Sequence, residues 1–313
     1  MNEQMLWVEK YRPHKVQDCI LPETFKETFQ EYVNKKEIPN LLLAGSAGVG
    51  KTTVAKALCD EVGCDYLIIN GSGDNGVDVV RNIIKNYASS LSLTGGRKVI
   101  IIDEADYLSH NAQAAFRNII EEFASNCSFI FTCNFKNKIM DAIHSRCSVI
   151  DFRIPASQKA KMAMQFLKRV DYILGEEGVA YDKQVVAAVI TKHFPDNRRI
   201  LNELQRYASN ESKTIDTGIL SQVSDVTLTP LIKALKEKDF TTARKWVASN
   251  LDNDPAAILR KIYDNLYEVL KPESIPAAVL VLAKYQHQAA FVADQEINLV
   301  ACLVEFMIEC EFK

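Results

Sequence analysis

Residues 45–52, Gly-Ser-Ala-Gly-Val-Gly-Lys-Thr, match a Gly-x-x-x-x-Gly-Lys-Thr pattern at every fixed position. Such a stretch needs a buried strand before it and a helix after it. The glycines then let the backbone wrap an anion, and successive N–H groups and the helix N-terminus point at one phosphate. Both flanks comply. IPNLLLA (38–44) is a short apolar run ending at Gly45, and TTVAKALCDEV (52–62) has helical periodicity. Lys51 is suited to neutralise β- and γ-phosphate charge, and Thr52 to offer its hydroxyl to Mg²⁺. Gly48, Val49, Gly50, Lys51, Thr52 and Thr53 are therefore the candidate phosphate ligands.

KVIIIDE (98–104) supplies the loop's partner. Four apolar residues make a buried strand, with Asp103 at its C-terminal end as a second metal ligand beside Thr52. Glu104 stands where a carboxylate can polarise an attacking water. Alone, two acids closing a strand read as well as the cap of the next helix; downstream of a phosphate loop, the catalytic reading prevails. Residues 103–106 (Asp-Glu-Ala-Asp) also spell the signature of a helicase superfamily. That reading needs a second motor domain, which the remaining helical residues cannot provide.

Further apolar runs at 66–70 (YLIIN), 127–134 (CSFIFTCN) and 148–152 (SVIDF) alternate with helical stretches at 78–88 and 111–124. Strands and helices alternating at these lengths form a parallel sheet covered on both faces. After Pro155 the strands stop. Residues 157–174, 182–194 and 197–208 read as three helices, joined near Gly175/Gly178 and Pro195/Asp196. A polar stretch at 209–225 holds another short helix. From Pro230 the pattern is helical to the end, with breaks near Asp239, Asp252–Pro255 and Pro272–Pro276. The expected fold is α/β: a P-loop core with a parallel sheet over 1–153, a small helical lid over 154–227, and an all-α domain over 228–313.

The 313 residues, 48% hydrophobic, suffice for two or three cores. Lys plus Arg is 37 against 40 for Asp plus Glu, a net charge of -3. No global field therefore draws the molecule onto DNA, and any such contact must come from a local basic strip. The eight cysteines show neither C-x-x-C nor zinc spacing, and several sit in apolar runs as reduced thiols do. The N-terminus lacks the apolar region of a signal peptide, and no apolar stretch reaches membrane-span length. A soluble protein of the cytoplasm, that of a host cell if viral, with no membrane partner, is expected.

Further motifs follow one another in the order found in AAA+ clamp loaders. Trp7–Pro13 (WVEKYRP) resembles the opening motif of those ATPases, and Ser145-Arg146-Cys147 resembles their Ser-Arg-Cys motif. Asp196–Asn202 (DNRRILN) is similar to their lid segment, and Ala112–Arg117 (AQAAFR) to the helix that faces DNA inside the ring. The stretches 88–104 and 185–196 look most like the large subunits of T4-like bacteriophages. Taken singly, Asn134 would read as a turn residue, Arg146 and Arg198 as surface arginines in weak ion pairs, and Trp7 and Tyr11 as core.

The resemblance implies an ATP-hydrolysing subunit of a sliding-clamp loader, with ATP and Mg²⁺ as cofactors. Val8, Glu9, Lys10, Tyr11, Arg12 and Ile20 would line the adenine pocket. Asn134 would sense the γ-phosphate, Arg198 would be a second sensor, and Arg146 an arginine finger acting in a neighbour's site. The partners implied are further copies of the chain and a small subunit in a pentameric ring, held by a C-terminal collar, with a sliding clamp and primer–template DNA. Arg81, Gln113 and Arg117 are the candidate DNA contacts, made to phosphates, and Leu91 and Leu93 the candidate clamp contacts. Residues 73–76 (Gly-Asp-Asn-Gly) depart from the phage pattern, which has a basic residue there coupling DNA to the site. Two other readings stay open: another AAA+ replication ATPase, such as a helicase loader or branch-migration motor, or a scaffold that binds ATP without hydrolysing it.

Overall fold

The computed structural model describes residues 6–73, 77–90, 97–209, 214–219, 228–250, 255–289, 291–292 and 294–313. They fall into two compact units, Met1–Val223 and Ser224–Lys313.

The first unit is built on five parallel strands, β1 (Leu41–Ala44), β2 (Tyr66–Asn70), β3 (Lys98–Asp103), β4 (Cys127–Cys133) and β5 (Ser148–Asp151), in the order β2-β3-β4-β1-β5. β1 and β4 are buried along their whole length, as a sheet covered on both faces requires. One face gathers Leu41, Leu43, Val99, Ile101 and Ile130 under helices α2 (Glu23–Lys35) and α3 (Lys51–Val62). The other gathers Leu42, Ile100, Ile102, Phe129 and Phe131 under α4 (Val77–Ser89) and α5 (His110–Glu122). Each such side chain stabilises the fold by about 1.5–3 kcal/mol. Phe131, edge-on to Phe116 of α5, would cost about 3–5 kcal/mol on truncation to alanine.

β1 begins at Leu41, three residues later than its apolar run suggests. Pro39 has no N–H for a ladder. The Asn40 side chain accepts from Phe129 N at 2.9 Å, while its carbonyl accepts from Ser148 N at 2.8 Å. Helix α2 was not legible in the sequence.

Three lid helices follow: α7 (Ala156–Glu176), α8 (Lys183–His193) and α9 (Asn197–Ala208), with the four-residue α6 (Asp141–His144) preceding β5. Asp182 and Asp196 cap α8 and α9 by accepting the N–H groups of Gln184 and Arg199. The expectation that strands end at Pro155 is corrected: Ala180–Tyr181 (β6) and Thr214–Ile215 (β7) pair in parallel. Two-residue strands carry too little periodicity to read. The N-terminal turn α1 (Trp7–Lys10), expected within the core, packs on the lid, where Trp7 joins a cluster with Phe166, Val170 and Leu204.

The second unit is helical over Leu228–Lys236, Phe240–Ala248, Pro255–Val269, Ile275–Gln288 and Gln295–Glu309. Asp239 and Asp294 cap two of these helices. The break before Asp294 was not anticipated. Leu231, Ala278, Cys302 and Phe306 belong to its core cluster. All eight cysteines are free thiols. No helix among the described residues is long and apolar enough to cross a membrane.

Candidate functional site

In open parallel sheets, ligands collect outside the C-terminal strand ends. Here the ends of β1, β3 and β4 meet. The register fixes which side chains come together: Ala44 lies beside Cys133, so Asn134 falls next to the loop leaving β1, and Ile102 lies beside Phe131, so Thr132 adjoins Asp103.

The loop closes on Lys51, the second residue after Gly48-Val49 and the first of α3, with only 8% of its surface exposed. Its ammonium donates to Gly45 O (2.7 Å), Ser46 O (2.8 Å) and Asn134 Oδ1 (2.9 Å). Burial lowers the Lys51 pKa below its ordinary value, against the opposing pull of Cys133, Asp103 and Asp106. Burial likewise pushes the neighbouring Cys133 thiol up to about 11. Thr52 donates its hydroxyl to Asp103 Oδ1 at 2.7 Å, and Thr132 donates to the same oxygen at 2.5 Å while accepting from Glu104 N at 3.1 Å. Thr132, which sequence reasoning missed, thus ties both acids to β4. The available signal was a hydroxyl residue inside the otherwise apolar run CSFIFTC. Glu104 itself sits in the left-handed region at φ 56°, uncommon for a side-chain-bearing residue. Gly71 packs beneath that turn, where a Cβ would lie 2.6 Å from Glu104 O.

Above these groups opens a cleft. Gly48, Val49, Gly50, Lys51, Thr52, Thr53, Asp103, Glu104 and Asn134 line its core side, and Arg198 on α9 lines it from the lid. Val8, Tyr11, Arg12 and Ile20 close the far end beside Phe166 and Ile173 of α7. The lid touches the loop directly: Asn197 N donates to Gly48 O at 3.1 Å, and a Cβ on Gly48 would collide with the Asp196 carboxylate. Arg169 of α7, also missed, lines the cleft and donates to Tyr11 O at 3.0 Å.

Two expected pocket residues are corrected. Lys10 turns from the cleft to Glu177 (2.7 Å), and Glu9 pairs with Arg12, whose guanidinium reaches Thr53 Oγ1 at 3.2 Å. Neither side chain lines the cleft. Tyr11 OH also donates to Glu177. Burial alone would raise the Glu177 carboxyl, but the Lys10 and Tyr11 hydrogen bonds outweigh it and hold it below its usual range. Gln113 is a larger correction. It is 3% exposed, donates to Leu108 O (3.2 Å) and Lys138 O (3.0 Å), and accepts from Met140 N (2.9 Å). Its polar atoms are engaged within the core, so it cannot meet DNA. Arg81 on α4 and Arg117 on α5 are exposed. Leu91 and Leu93, and residues 74–76 of the Gly73–Gly76 stretch, lie outside the described residues.

Arg146 does not line the cleft. It follows α6, its guanidinium donating to Glu121 Oε1, Ala142 O and Ser145 Oγ.

The donors fit a nucleoside triphosphate: a cationic, N–H-rich end at Lys51 and an apolar end at Val8, Ile20 and Phe166. A Thr hydroxyl hydrogen-bonded to a carboxylate is an oxygen donor set suited to Mg²⁺. The comparisons agree. Residues 41–155 match the family of ATPases associated with various cellular activities (AAA). Residues 158–221 match the AAA+ ATPase lid domain of sliding-clamp-loader large subunits. The sliding-clamp-loader large subunit of Enterobacteria phage T4 is 36% identical over 97% of this chain and 96% of its own length.

The chain belongs to the sliding-clamp-loader family of AAA+ ATPases. Among other members, the large subunit of Escherichia phage RB69 is 35% identical, covering 100% of this chain and 98% of its own. A replication factor C small subunit of Methanothermobacter thermautotrophicus is 32% identical over 93% of this chain and 86% of its own. A solved RuvB mutant of Thermotoga maritima shares the fold at a TM-score of 0.53 and 15% identity, covering 73% of this chain and 79% of that one. The clamp-loader chain is thus an AAA+ ATPase with its nucleotide cleft between sheet and lid.

Proposed function

We propose that this chain is the ATPase subunit of a sliding-clamp loader, which opens a polymerase processivity clamp and sets it on primer–template DNA. One observation carries the reading. Lys51, Thr52, Asp103, Glu104, Asn134 and Arg198 share a cleft, while Arg146 of the Ser-Arg-Cys motif lies outside it, just past α6. A site short of its finger is completed by a neighbour, so hydrolysis belongs to the assembled ring.

In this reading the N–H groups of Gly48 to Thr53 and the N-terminus of α3 hold the β- and γ-phosphates. Lys51 exchanges Gly45 O and Ser46 O for phosphate oxygens. Val8, Tyr11, Arg12 and Ile20 hold the adenosine end. Asn134 and Arg198 report the γ-phosphate from core and lid. Glu104, fixed by Thr132, orients and deprotonates the attacking water, and Arg146 of the neighbour offsets charge on the transferring phosphoryl group. Thr52 and Asp103 would hold Mg²⁺, which would offset the negative charge of the phosphates.

The proposed domains are the core over 1–153, the lid over 154–227 and a collar over 228–313 that joins copies of the chain and a small partner subunit in a pentameric ring. Arg81 and Arg117 are proposed to touch DNA phosphates, and Leu91 and Leu93 the clamp; the host cytoplasm is the proposed location. ATPase assays with and without partner subunit, clamp and primer–template DNA test this. Joint stimulation by DNA and clamp is expected. Stimulation by DNA alone would indicate a motor, and absence of turnover a scaffold.

A further inference from the structure

We infer that Asp106 is a positioning residue, which holds Asn134 in register with Lys51 from the turn that follows Asp103 and Glu104. Asp106 belongs to the 3₁₀ turn Ala105–Tyr107 and is 7% exposed. It does not line the cleft. Its Oδ2 accepts the backbone N–H of Asn134 and that of Phe135, each at 3.2 Å. Both groups lie past Cys133, the last residue of β4 paired with β1, where the sheet no longer supplies an acceptor. One carboxylate therefore takes over the ladder's role and carries β4's order one residue further, to the side chain that meets the Lys51 ammonium at 2.9 Å.

A buried carboxylate is costly to keep unless donors meet it. Here Oδ2 has two, and Oδ1 is shut off from water without a hydrogen-bond partner. An apolar residue would fill the volume without that cost but would leave the Asn134 and Phe135 N–H groups without their acceptor. A carboxylate is a stronger acceptor for N–H groups than a neutral oxygen, and here one oxygen holds two consecutive backbone N–H groups at 3.2 Å each. Asp106 is also the fourth position of the Asp-Glu-Ala-Asp run. The same short turn thus carries the metal ligand, the water-activating acid and the anchor of the sensor strand. Movement of Lys51 onto a phosphate leaves the Asn134 amide free, while Asp106 keeps its backbone still.

The inference rests on the reading of Asn134 as a phosphate sensor, and the experiment separates the two. In the assembled complex, affinity for a fluorescent ATP analogue and steady-state turnover are measured for Asn134→Ala, Asp106→Ala, Asp106→Asn and the Asp106→Ala/Asn134→Ala double variant. Each alanine variant should lose about 10- to 100-fold in kcat, with a smaller change in nucleotide affinity. The double variant should be no slower than the slower single, because both act through one group. Asp106→Asn, whose amide oxygen still accepts both N–H groups, should recover most of the rate. Wild-type turnover in Asn134→Ala would sink the sensor reading and this inference together. A slow Asn134→Ala beside a fast Asp106→Ala, or penalties that multiply, would sink the inference alone. Should Asp106→Ala not fold, Asp106→Asn must remain fast and Asp106→Glu, whose longer side chain displaces the sensor strand, must be slow; equal rates overturn the inference.

Discussion

Arg146 is held by Glu121 of its own chain, with Nε 3.0 Å and a terminal guanidinium nitrogen 2.5 Å from the same oxygen, Oε1. The pair joins the end of α5 to the residues just past α6, and the Arg146 bond and charge keep the Glu121 carboxyl below its ordinary pKa. Exposed pairs contribute about 0–1 kcal/mol to stability, so the contact's consequence is orientation rather than folding. Arg146→Ala should leave the melting temperature and nucleotide affinity of the isolated chain unchanged and lower turnover of the assembled ring by about 10³- to 10⁵-fold. Mixing Arg146→Ala subunits with Glu104→Gln subunits should restore part of the activity, because intact fingers then face intact sites. Glu121's depressed pKa gives its pairing a sign in pH: the contact is complete above the ordinary carboxylate range and lost as pH falls through the lowered value.

Gln113 and Arg117, one helical turn apart on α5, should behave in opposite ways. Gln113→Ala removes three hydrogen bonds and strands the Leu108 and Lys138 carbonyls and Met140 N–H in the interior. A loss of about 2–4 kcal/mol in denaturant unfolding is expected. Arg117→Ala should change stability by less than about 0.5 kcal/mol and weaken DNA binding equally across sequences, with a shallower salt dependence.

Thr132→Val keeps shape but removes the hydroxyl that donates to Asp103 and accepts from Glu104 N. Leaving that N–H without an acceptor costs about 1–3 kcal/mol. Turnover should fall more than nucleotide affinity, and Thr132→Ser should restore both. Equal kinetics for the valine and serine variants would count against Thr132 as the support for the two acids.

The strands, the lid helices and the phosphate loop were legible because each rests on a short-range pattern: an apolar run, a helical period, a glycine spacing. Their meeting was not. Gln113 reads as a polar residue on a helix, and only the return of the 136–140 segment across α5 shows it buried. Thr132 gained its role from the β3–β4 register, which no local pattern carries. Lys10 and Glu9 lie in a motif that does border the cleft, yet a single turn of helix points their side chains to Glu177 and Arg12. Strands β6 and β7 are too short to have a period, and Trp7 joins the lid through contacts nearly two hundred residues away, such as Trp7 N to Gln205 Oε1.

Lys51 supplies a pH test. Its folded pKa lies below 10.5, so nucleotide affinity should hold through neutral pH and decline on the alkaline side earlier than an ordinary lysine would dictate. Stability runs the other way in that window. Between the lowered pKa and 10.5 the unfolded chain binds the additional proton, so stability rises with pH and the penalty is fully present below the lowered value. Lys51→Arg should remove the alkaline decline from any residual binding measured by titration.

The direct test of a site completed across two subunits is ATP turnover measured on the isolated monomer and on the ring assembled with partner subunit, clamp and primer–template DNA. Little turnover by the monomer and strong turnover by the ring, abolished by Arg146→Ala, is the predicted result. Equal turnover per subunit in both states, or a ring that binds ATP and never cleaves it, would contradict the account.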